Sequence, residues 1–203
     1  MIKNIVFDLG NVILMDKPIN SLDCLNLDEK DYECIKVNYF WKWKEMDEGD
    51  KTLKEHFLES DIPDYLKQDE RILERATNYY KYRPFNEEVI DLIKKLRENG
   101  YKIYVLSNNN HETIEFLLTT KLKDLVDDWV VSCDYHMGKP MPEFYNILFT
   151  KCNIKPEESF FIDDRPDNIK TSESLGMKGH IFNYREDGID KLLHDLKDCA
   201  VNI

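Results

Sequence analysis

The sequence has few features of a membrane-spanning or nucleic-acid-binding protein. No apolar stretch approaches the length of a membrane span, and Asp8 interrupts the apolar N-terminus that could otherwise pass for a signal sequence. Basic residues are in the minority, with 28 Lys and Arg against 40 Asp and Glu, so the net charge is −12. A uniformly acidic surface repels a phosphate backbone. We therefore expect neither a membrane nor a nucleic-acid partner.

Cysteine is sparse and unpatterned. The chain has five cysteines, an odd number, and none of them forms a CxxC pair. This usage argues against a zinc knuckle and favours a reducing compartment, so the chain is predicted to be cytoplasmic. Internal repeats and low-complexity tracts are also absent, whereas 42% of the residues are apolar, enough to build a hydrophobic core.

Strand and helix signals alternate from residue 84 onward. Short apolar runs are predicted as strands, and amphipathic segments separate them, including a helix from Asn86 to about Asn99 that Gly100 ends. This pattern predicts an α/β fold, a doubly wound, Rossmann-like and mostly parallel sheet with helices on both faces. The predicted strands are 2–7, 102–106, 129–133, 159–162 and 179–183.

Residues 16–83 interrupt this alternation. They are rich in helix signals, including a capping box in which Thr52 and Glu55 begin a helix. We interpret the segment 16–83 as a small helical cap inserted after the first strand, with residues 1–15 and 84–203 forming the core domain. The aromatic run at 39–43 is interpreted as packing between cap and sheet, and lining a sugar pocket is the alternative.

Four groups of polar residues lie just past predicted strands, at one end of the sheet. They are Asp8, the pair Ser107 and Asn108, Lys139, and the pair Asp163 and Asp164. Open α/β sheets bind ligands beyond the carboxyl ends of their strands, so these groups are expected to meet. Adjacent carboxylates repel each other unless a cation stabilises them.

This set of residues suits phosphoryl transfer. A carboxylate can attack phosphorus and form an aspartyl-phosphate, and Mg²⁺ lets two anions approach each other. Asp8 and Asp164 could hold the cation, while Ser107, Asn108 and Lys139 could stabilise the phosphoryl oxygens.

Four segments in this order resemble the motifs of the haloacid dehalogenase (HAD) superfamily. The resemblance is closest to its FDLGN-type branch, which includes sugar-1-phosphate phosphatases. The matching segments are residues 7–12, residues 105–108, Lys139-Pro140 with Glu143 and Tyr145, and residues 161–164 with Asn168-Ile169.

The resemblance implies a role for each of these residues. Asp8 would be the nucleophile and a Mg²⁺ ligand, with Asp164 and the backbone carbonyl of Gly10 as further ligands. Asp163 would support the metal site or bind through water, and Asn168 would orient a metal-bound water. The implied substrate is a small phosphorylated metabolite, and the implied state is a monomer or weak homodimer.

Position 10 departs from the usual pattern. Most phosphatases of this superfamily carry there an Asp that acts as general acid and base, and Gly10 can do neither. Such help is typically worth about 10²–10⁴-fold in rate, and its loss matters least for good leaving groups. Gly10 therefore favours a sugar 1-phosphate. Asp16, His111 and His136 are the replacement acids that the sequence offers, and each is better explained as a capping or surface residue.

Two other functions stay open at this stage. A 2-haloacid dehalogenase would share the Asp8 nucleophile without a metal, but the acidic pair at 163–164 would repel its carboxylate substrate. A weakly active or non-catalytic protein that only binds a ligand is the other possibility, which the retention of Asp8, Lys139 and Asp164 disfavours.

Overall fold

The computed structural model describes residues 1–15 and 17–203, and within these ranges five strands form one parallel sheet. The strand order is β3-β2-β1-β4-β5. This arrangement confirms the predicted doubly wound α/β fold. The strands are β1 Asn4–Phe7, β2 Lys102–Ser107, β3 Asp128–Val131, β4 Ser159–Asp163 and β5 Lys178–Ile181.

Both faces of the sheet are covered, as parallel sheets require. Because successive side chains of a strand point to opposite faces, Ile5 and Phe7 enter one hydrophobic cluster and Val6 enters another. Phe160 and Phe161 divide between the same two clusters. The apolar runs read in the sequence are therefore strands buried on both sides.

The predicted helix from Asn86 to about Asn99 is present as Glu87–Glu98. The predicted third strand is too long at its end, because its pairing with β2 stops at Val131 and residues Ser132–Asp134 turn as a 3₁₀-helix. The helices are α6 Glu87–Glu98, α7 His111–Leu117, α8 Leu122–Leu125, α9 Pro142–Lys151, α10 Pro166–Ser174, α11 Tyr184–Asp187 and α12 Asp190–Asp198. Among the described residues, no helix combines the length and apolar character needed to cross a membrane.

The segment after β1 forms a third hydrophobic cluster of its own, which contains Tyr39, Phe40, Phe57 and Tyr79. Its helices are α1 Glu29–Ile35, α2 Trp43–Glu48, α3 Leu53–Glu59, α4 Asp64–Lys67 and α5 Glu70–Thr77, with 3₁₀ turns at Pro18–Leu25 and Tyr79–Tyr82 and a π-helical turn at Lys36–Phe40. The predicted capping box at Thr52 is present.

The chain leaves and re-enters the core at neighbouring points. Leu14 and Phe85 form an antiparallel bridge, and the Asn86 amide donates to the Ile13 carbonyl over 2.8 Å. An insert can therefore begin and end at one edge of the sheet. We keep the division into a core (1–15 and 84–203) and a cap (16–83) as a proposal.

Candidate active site

The register of the central strands brings the predicted site residues to one level. Phe7 pairs with Val105 on one side and with Ile162 on the other. Asp8 therefore stands beside Asp163, close to the end of β2. Within the sheet, β2 lies on one side of β1 and β4 lies on the other. The strand order therefore reverses at β1, and a crevice opens at this switch point.

Lys139 bridges two carboxylates at the bottom of this crevice. Its Nζ lies 2.7 Å from Asp8 Oδ1 and 2.7 Å from Asp163 Oδ2, and only 2% of its side chain is exposed. Burial lowers the pKa of Lys139, but the charges of Asp163 and Asp8 outweigh this effect and raise it. The ammonium group is therefore held charged between the two acids.

Asn108 fixes the backbone of Lys139. Its Oδ1 accepts a hydrogen bond from the Lys139 amide over 2.7 Å, and its Nδ2 donates to the Lys139 carbonyl over 2.9 Å. Gly138 allows this approach, because a Cβ there would lie 2.5 Å from Asn108 Oδ1. Ser107 is buried at the end of β2 and does not belong to the described residues that line the crevice.

Asp163 is enclosed by donors. Besides Lys139, it accepts hydrogen bonds from Asn168 Nδ2 at 2.9 and 3.0 Å and from the Arg165 amide at 2.8 Å. Its carboxylate is fully buried. With its oxygens used in this way, Asp163 is arranged to hold Lys139 and Asn168 in place.

Asp164 faces the crevice instead. Its Oδ2 accepts a hydrogen bond from Asn11 Nδ2 over 2.8 Å. Asn11 has a left-handed backbone (φ 56°), a conformation that Asn tolerates better than most residues. Burial raises the pKa of Asp164, the bond from Asn11 opposes this, and the charge of Asp163 adds to it.

The crevice is one cleft of about 1010 Å³ between the sheet and the helical segment that follows β1, at the upper end of the size range of small-molecule sites. Of the predicted site residues, Asp8, Gly10, Asn108, Lys139, Asp164 and Asn168 line it. The other groups that line it include five cations, Lys17, Lys36, Lys44, Arg83 and Arg165, and four aromatic residues, Phe40, Trp41, Trp43 and Tyr79.

The acidic groups of the cleft fit a divalent cation. Asp8, Asp163 and Asp164 offer carboxylate oxygens within 4.8 Å of one another, and such hard oxygen ligands suit Mg²⁺. The pKa of Asp8 is raised to about 6, mainly by burial. The charge of Lys139 lowers this pKa, and the charges of Asp163 and Asp164 raise it. Asn168 Oδ1 is buried without a hydrogen-bond partner among the described residues, as expected for a group that would receive a metal-bound water.

Sequence reasoning missed two acids in the cleft, Asp47 and Glu48 at the end of α2, and Asp47 is the one with a shifted pKa. Burial raises its pKa to about 7, and the charges of Asp8 and Glu48 act in the same direction. In the sequence, this residue stands among Glu45, Glu48 and Asp50, and nothing in that acidic run marks it.

The replacement acids considered from the sequence are placed elsewhere. His111 and His136 are exposed and stand 3.7 Å from Asp134 and Asp50 respectively, and neither belongs to the described lining of the cleft. Asp16 lies outside the described residues.

The chain is similar to several characterised proteins. It is 28% identical over 191 residues to D-ribitol-5-phosphate phosphatase from Bacteroides thetaiotaomicron, covering 88% of this chain and 90% of that protein. It superposes with a TM-score of 0.72 and 24% identity on the HAD-family enzyme BT-2542 of the same organism, an aspartate-to-alanine variant in complex with magnesium and inorganic phosphate. That match covers 92% of this chain and 97% of the other.

A third likeness is to L-2-haloacid dehalogenase from Xanthobacter autotrophicus with chloropropionic acid covalently bound. The TM-score is 0.67 at 16% identity, and the match covers 100% of this chain and 85% of that one. At these identities the two structural likenesses establish a shared fold. The sequence model of the haloacid dehalogenase-like hydrolases matches residues 2–176, which is most of the chain. This protein therefore belongs to the haloacid dehalogenase-like hydrolase family.

Proposed function

We propose that this hydrolase is a Mg²⁺-dependent phosphatase that acts on a small phosphate ester through an aspartyl-phosphate on Asp8. The observation that carries the proposal is the grouping of Asp8, Lys139 and Asp164 in the cleft beyond the carboxyl ends of the strands. The Asp8 carboxylate lies 2.7 Å from the buried ammonium group of Lys139, and one of its oxygens lies within 4.8 Å of a carboxylate oxygen of Asp164.

The chemistry follows from these positions. Asp8, Asp164 and the Gly10 carbonyl would hold Mg²⁺, which supplies the positive charge that lets a phosphate dianion approach a carboxylate. Lys139 adds a second positive charge beside Asp8 and balances charge that develops on the phosphoryl oxygens. Asn108 acts through Lys139, whose backbone it fixes on both sides.

The cleft also supports a class of substrate. Its cations suit a polar, anionic molecule, and its aromatic faces suit a sugar or polyol chain. The relative named for ribitol 5-phosphate covers 88% of this chain. We therefore propose a sugar or polyol phosphate. The sugar 1-phosphate favoured by Gly10 stays a prediction, as do the cytoplasmic location and the monomeric or weakly dimeric state.

The decisive experiment replaces the nucleophile. Asp8→Asn keeps the size of the side chain but removes its charge, so release of inorganic phosphate from a panel of sugar and polyol phosphates should stop. The matched control is Asp91→Asn, an exposed residue of α6 paired with Lys94, which should keep full activity. EDTA should inhibit and Mg²⁺ should restore the rate. Phosphate release that persists in purified Asp8→Asn protein would refute the proposal.

Dehalogenation is the competing reaction, because this chain shares its fold with a haloacid dehalogenase. The environment of Asp8 disfavours it, since Asp163 and Asp164 place extra negative charge where a carboxylate substrate would bind. Wild-type protein with EDTA and 2-chloropropionate should release no chloride. Metal-independent chloride release would reverse this assignment.

A further inference from the structure

Arg83, at the end of the segment 16–83, lies beside Gly10 in the wall of the cleft. A Cβ at position 10 would lie 3.9 Å from Asp8 Oδ2 and 4.0 Å from Arg83 Nη2. Arg83 reaches this place while its Nη2 donates to the Leu14 carbonyl over 3.1 Å. Besides Asp8 and Asp164, the acids among the described residues that line the cleft are Asp47 and Glu48.

Asp47 stands across the cleft. It lines the same cavity as Asp8 and Gly10, and it lies near enough to Asp8 for their charges to interact. Burial raises the pKa of its carboxyl group, and the Asn110 side chain and the charge of Arg83 lower it. Asn110 is itself fixed, because its Nδ2 donates to the Tyr79 hydroxyl over 2.7 Å.

The end of α2 that carries Asp47 is docked on the core. The Ser132 hydroxyl donates to the Asp47 carbonyl, and His136 Nδ1 lies 2.9 Å from the Glu48 carbonyl. Gly49 then ends the helix where a Cβ would lie 2.5 Å from the Glu45 carbonyl oxygen. These contacts fix where the carboxyl group of Asp47 enters the cleft.

We infer that Asp47 is the general acid and base of this phosphatase, in place of the residue missing at position 10. The inference rests on the proposed function. A carboxyl group on the cap, facing the nucleophile across a cleft of substrate size, can reach the leaving oxygen of a bound ester.

The two half-reactions balance. An oxygen of Asp8 forms a bond to phosphorus, the bond from phosphorus to the leaving oxygen breaks, and the Asp47 proton passes to that oxygen to give an alcohol. Water then attacks phosphorus, its proton passes to the Asp47 carboxylate, and the bond from phosphorus to Asp8 breaks. Inorganic phosphate leaves, and both carboxyl groups return to their starting states.

The surroundings of Asp47 suit proton transfer near neutrality. Burial raises its pKa to about 7, the charges of Asp8 and Glu48 add to this, and the Asn110 side chain and Arg83 oppose it. A general acid works best when its pKa lies near the working pH. The ionisable groups that face it are Asp8, Glu48, Tyr79, Arg83 and Cys133.

The test compares leaving groups in Asp47→Asn. Ribitol 5-phosphate releases a strongly basic alkoxide that needs a proton, whereas p-nitrophenyl phosphate releases a stable phenolate that does not. The variant should lose about 10²–10⁴-fold in kcat/KM with ribitol 5-phosphate and almost nothing with p-nitrophenyl phosphate. Glu45→Gln is the matched control, because Glu45 is exposed on the same helix and should leave both rates unchanged.

A second measurement tests the site without turnover. Beryllium fluoride with Mg²⁺ mimics the phosphorylated aspartate, and it should raise the melting temperature of Asp47→Asn as much as that of wild type. Equal losses with both esters would overturn the role of Asp47, and so would a lost thermal shift, because the residue would then serve binding or folding. If wild type hydrolyses neither ester, the proposed function itself fails.

Discussion

Removal of the Lys139 charge should strongly destabilise this fold. Its ammonium group is the charge that contacts both Asp8 and Asp163, and all three groups are buried. Lys139→Met keeps the length of the aliphatic stem and removes the charge. The backbone hydrogen bonds between residue 139 and Asn108 can persist, so the variant isolates the ion pairs.

The magnitude follows from the burial. Removing one partner of a buried ion pair typically costs about 3–5 kcal/mol, because the other charge stays desolvated. Here two carboxylates lose their counter-ion, and their oxygens lie within 4.8 Å of each other. We expect Lys139→Met to lose about 3–5 kcal/mol of unfolding free energy at pH 8, a large share of the roughly 5–15 kcal/mol of a typical domain.

The loss should depend on pH in a defined direction. The pKa of Asp8 in the folded protein is about 6, above its ordinary value of 3.8, so between these values the folded state binds more protons than the unfolded state. Stability therefore falls as pH rises through this window. Without Lys139 the pKa of Asp8 rises further, so the variant should be more destabilised, relative to wild type, at pH 8 than at pH 5.

Urea unfolding in EDTA at the two pH values measures both effects. Lys151→Met is the control, since Lys151 pairs with Asp128 at 3.2 Å but more than a third of each side chain is exposed. Such surface pairs contribute about 0–1 kcal/mol. A loss below about 1 kcal/mol at pH 8 for Lys139→Met, or a larger loss at pH 5, would refute the reasoning.

Two further variants separate stability from chemistry. Thr52→Ala removes the capping box of α3, so unfolding free energy should fall by about 0.5–2 kcal/mol while kcat stays unchanged. A loss of phosphatase activity without loss of stability would contradict this. Gly138→Ala places a Cβ 2.5 Å from Asn108 Oδ1 and must displace either the Asn108 side chain or the loop that carries Lys139, which separates the two. Steady-state kinetics should then show kcat/KM reduced by about 10²-fold, and an unchanged value would show that Asn108 does not position Lys139.

The sheet and the strand-end residues were predictable because their signals are local. The strands β1, β2 and β4 are short, mostly apolar runs that end at or just before polar residues, and parallel strands bring such ends together whatever connects them. Adjacent Asp163 and Asp164 must point in different directions at the end of β4. The structure buries the Asp163 carboxylate and turns Asp164 to the cleft.

The cap was less predictable because its geometry depends on packing between segments. The aromatic run at 39–43 was interpreted as core, but Tyr39 and Phe40 are buried while Trp41 is 64% exposed and lines the cleft. The π-helical turn at Lys36–Phe40 includes the first two residues of this run and changes the spacing of side chains around the helix there. Spacing counted at 3.6 residues per turn fails there.

Asp47 shows the same limit at the level of chemistry. The contacts that dock its helix use the backbone carbonyls of residues 47 and 48, and any residue type supplies a carbonyl. Asp47 and Asp8 also lie in different parts of the fold, since α2 contributes Met46 to the hydrophobic cluster of the helical segment and β1 belongs to the sheet. Proton transfer from Asp47 to an ester held at Asp8 would therefore depend on how α2 is docked, which the contacts of Ser132 and His136 with its last carbonyls determine.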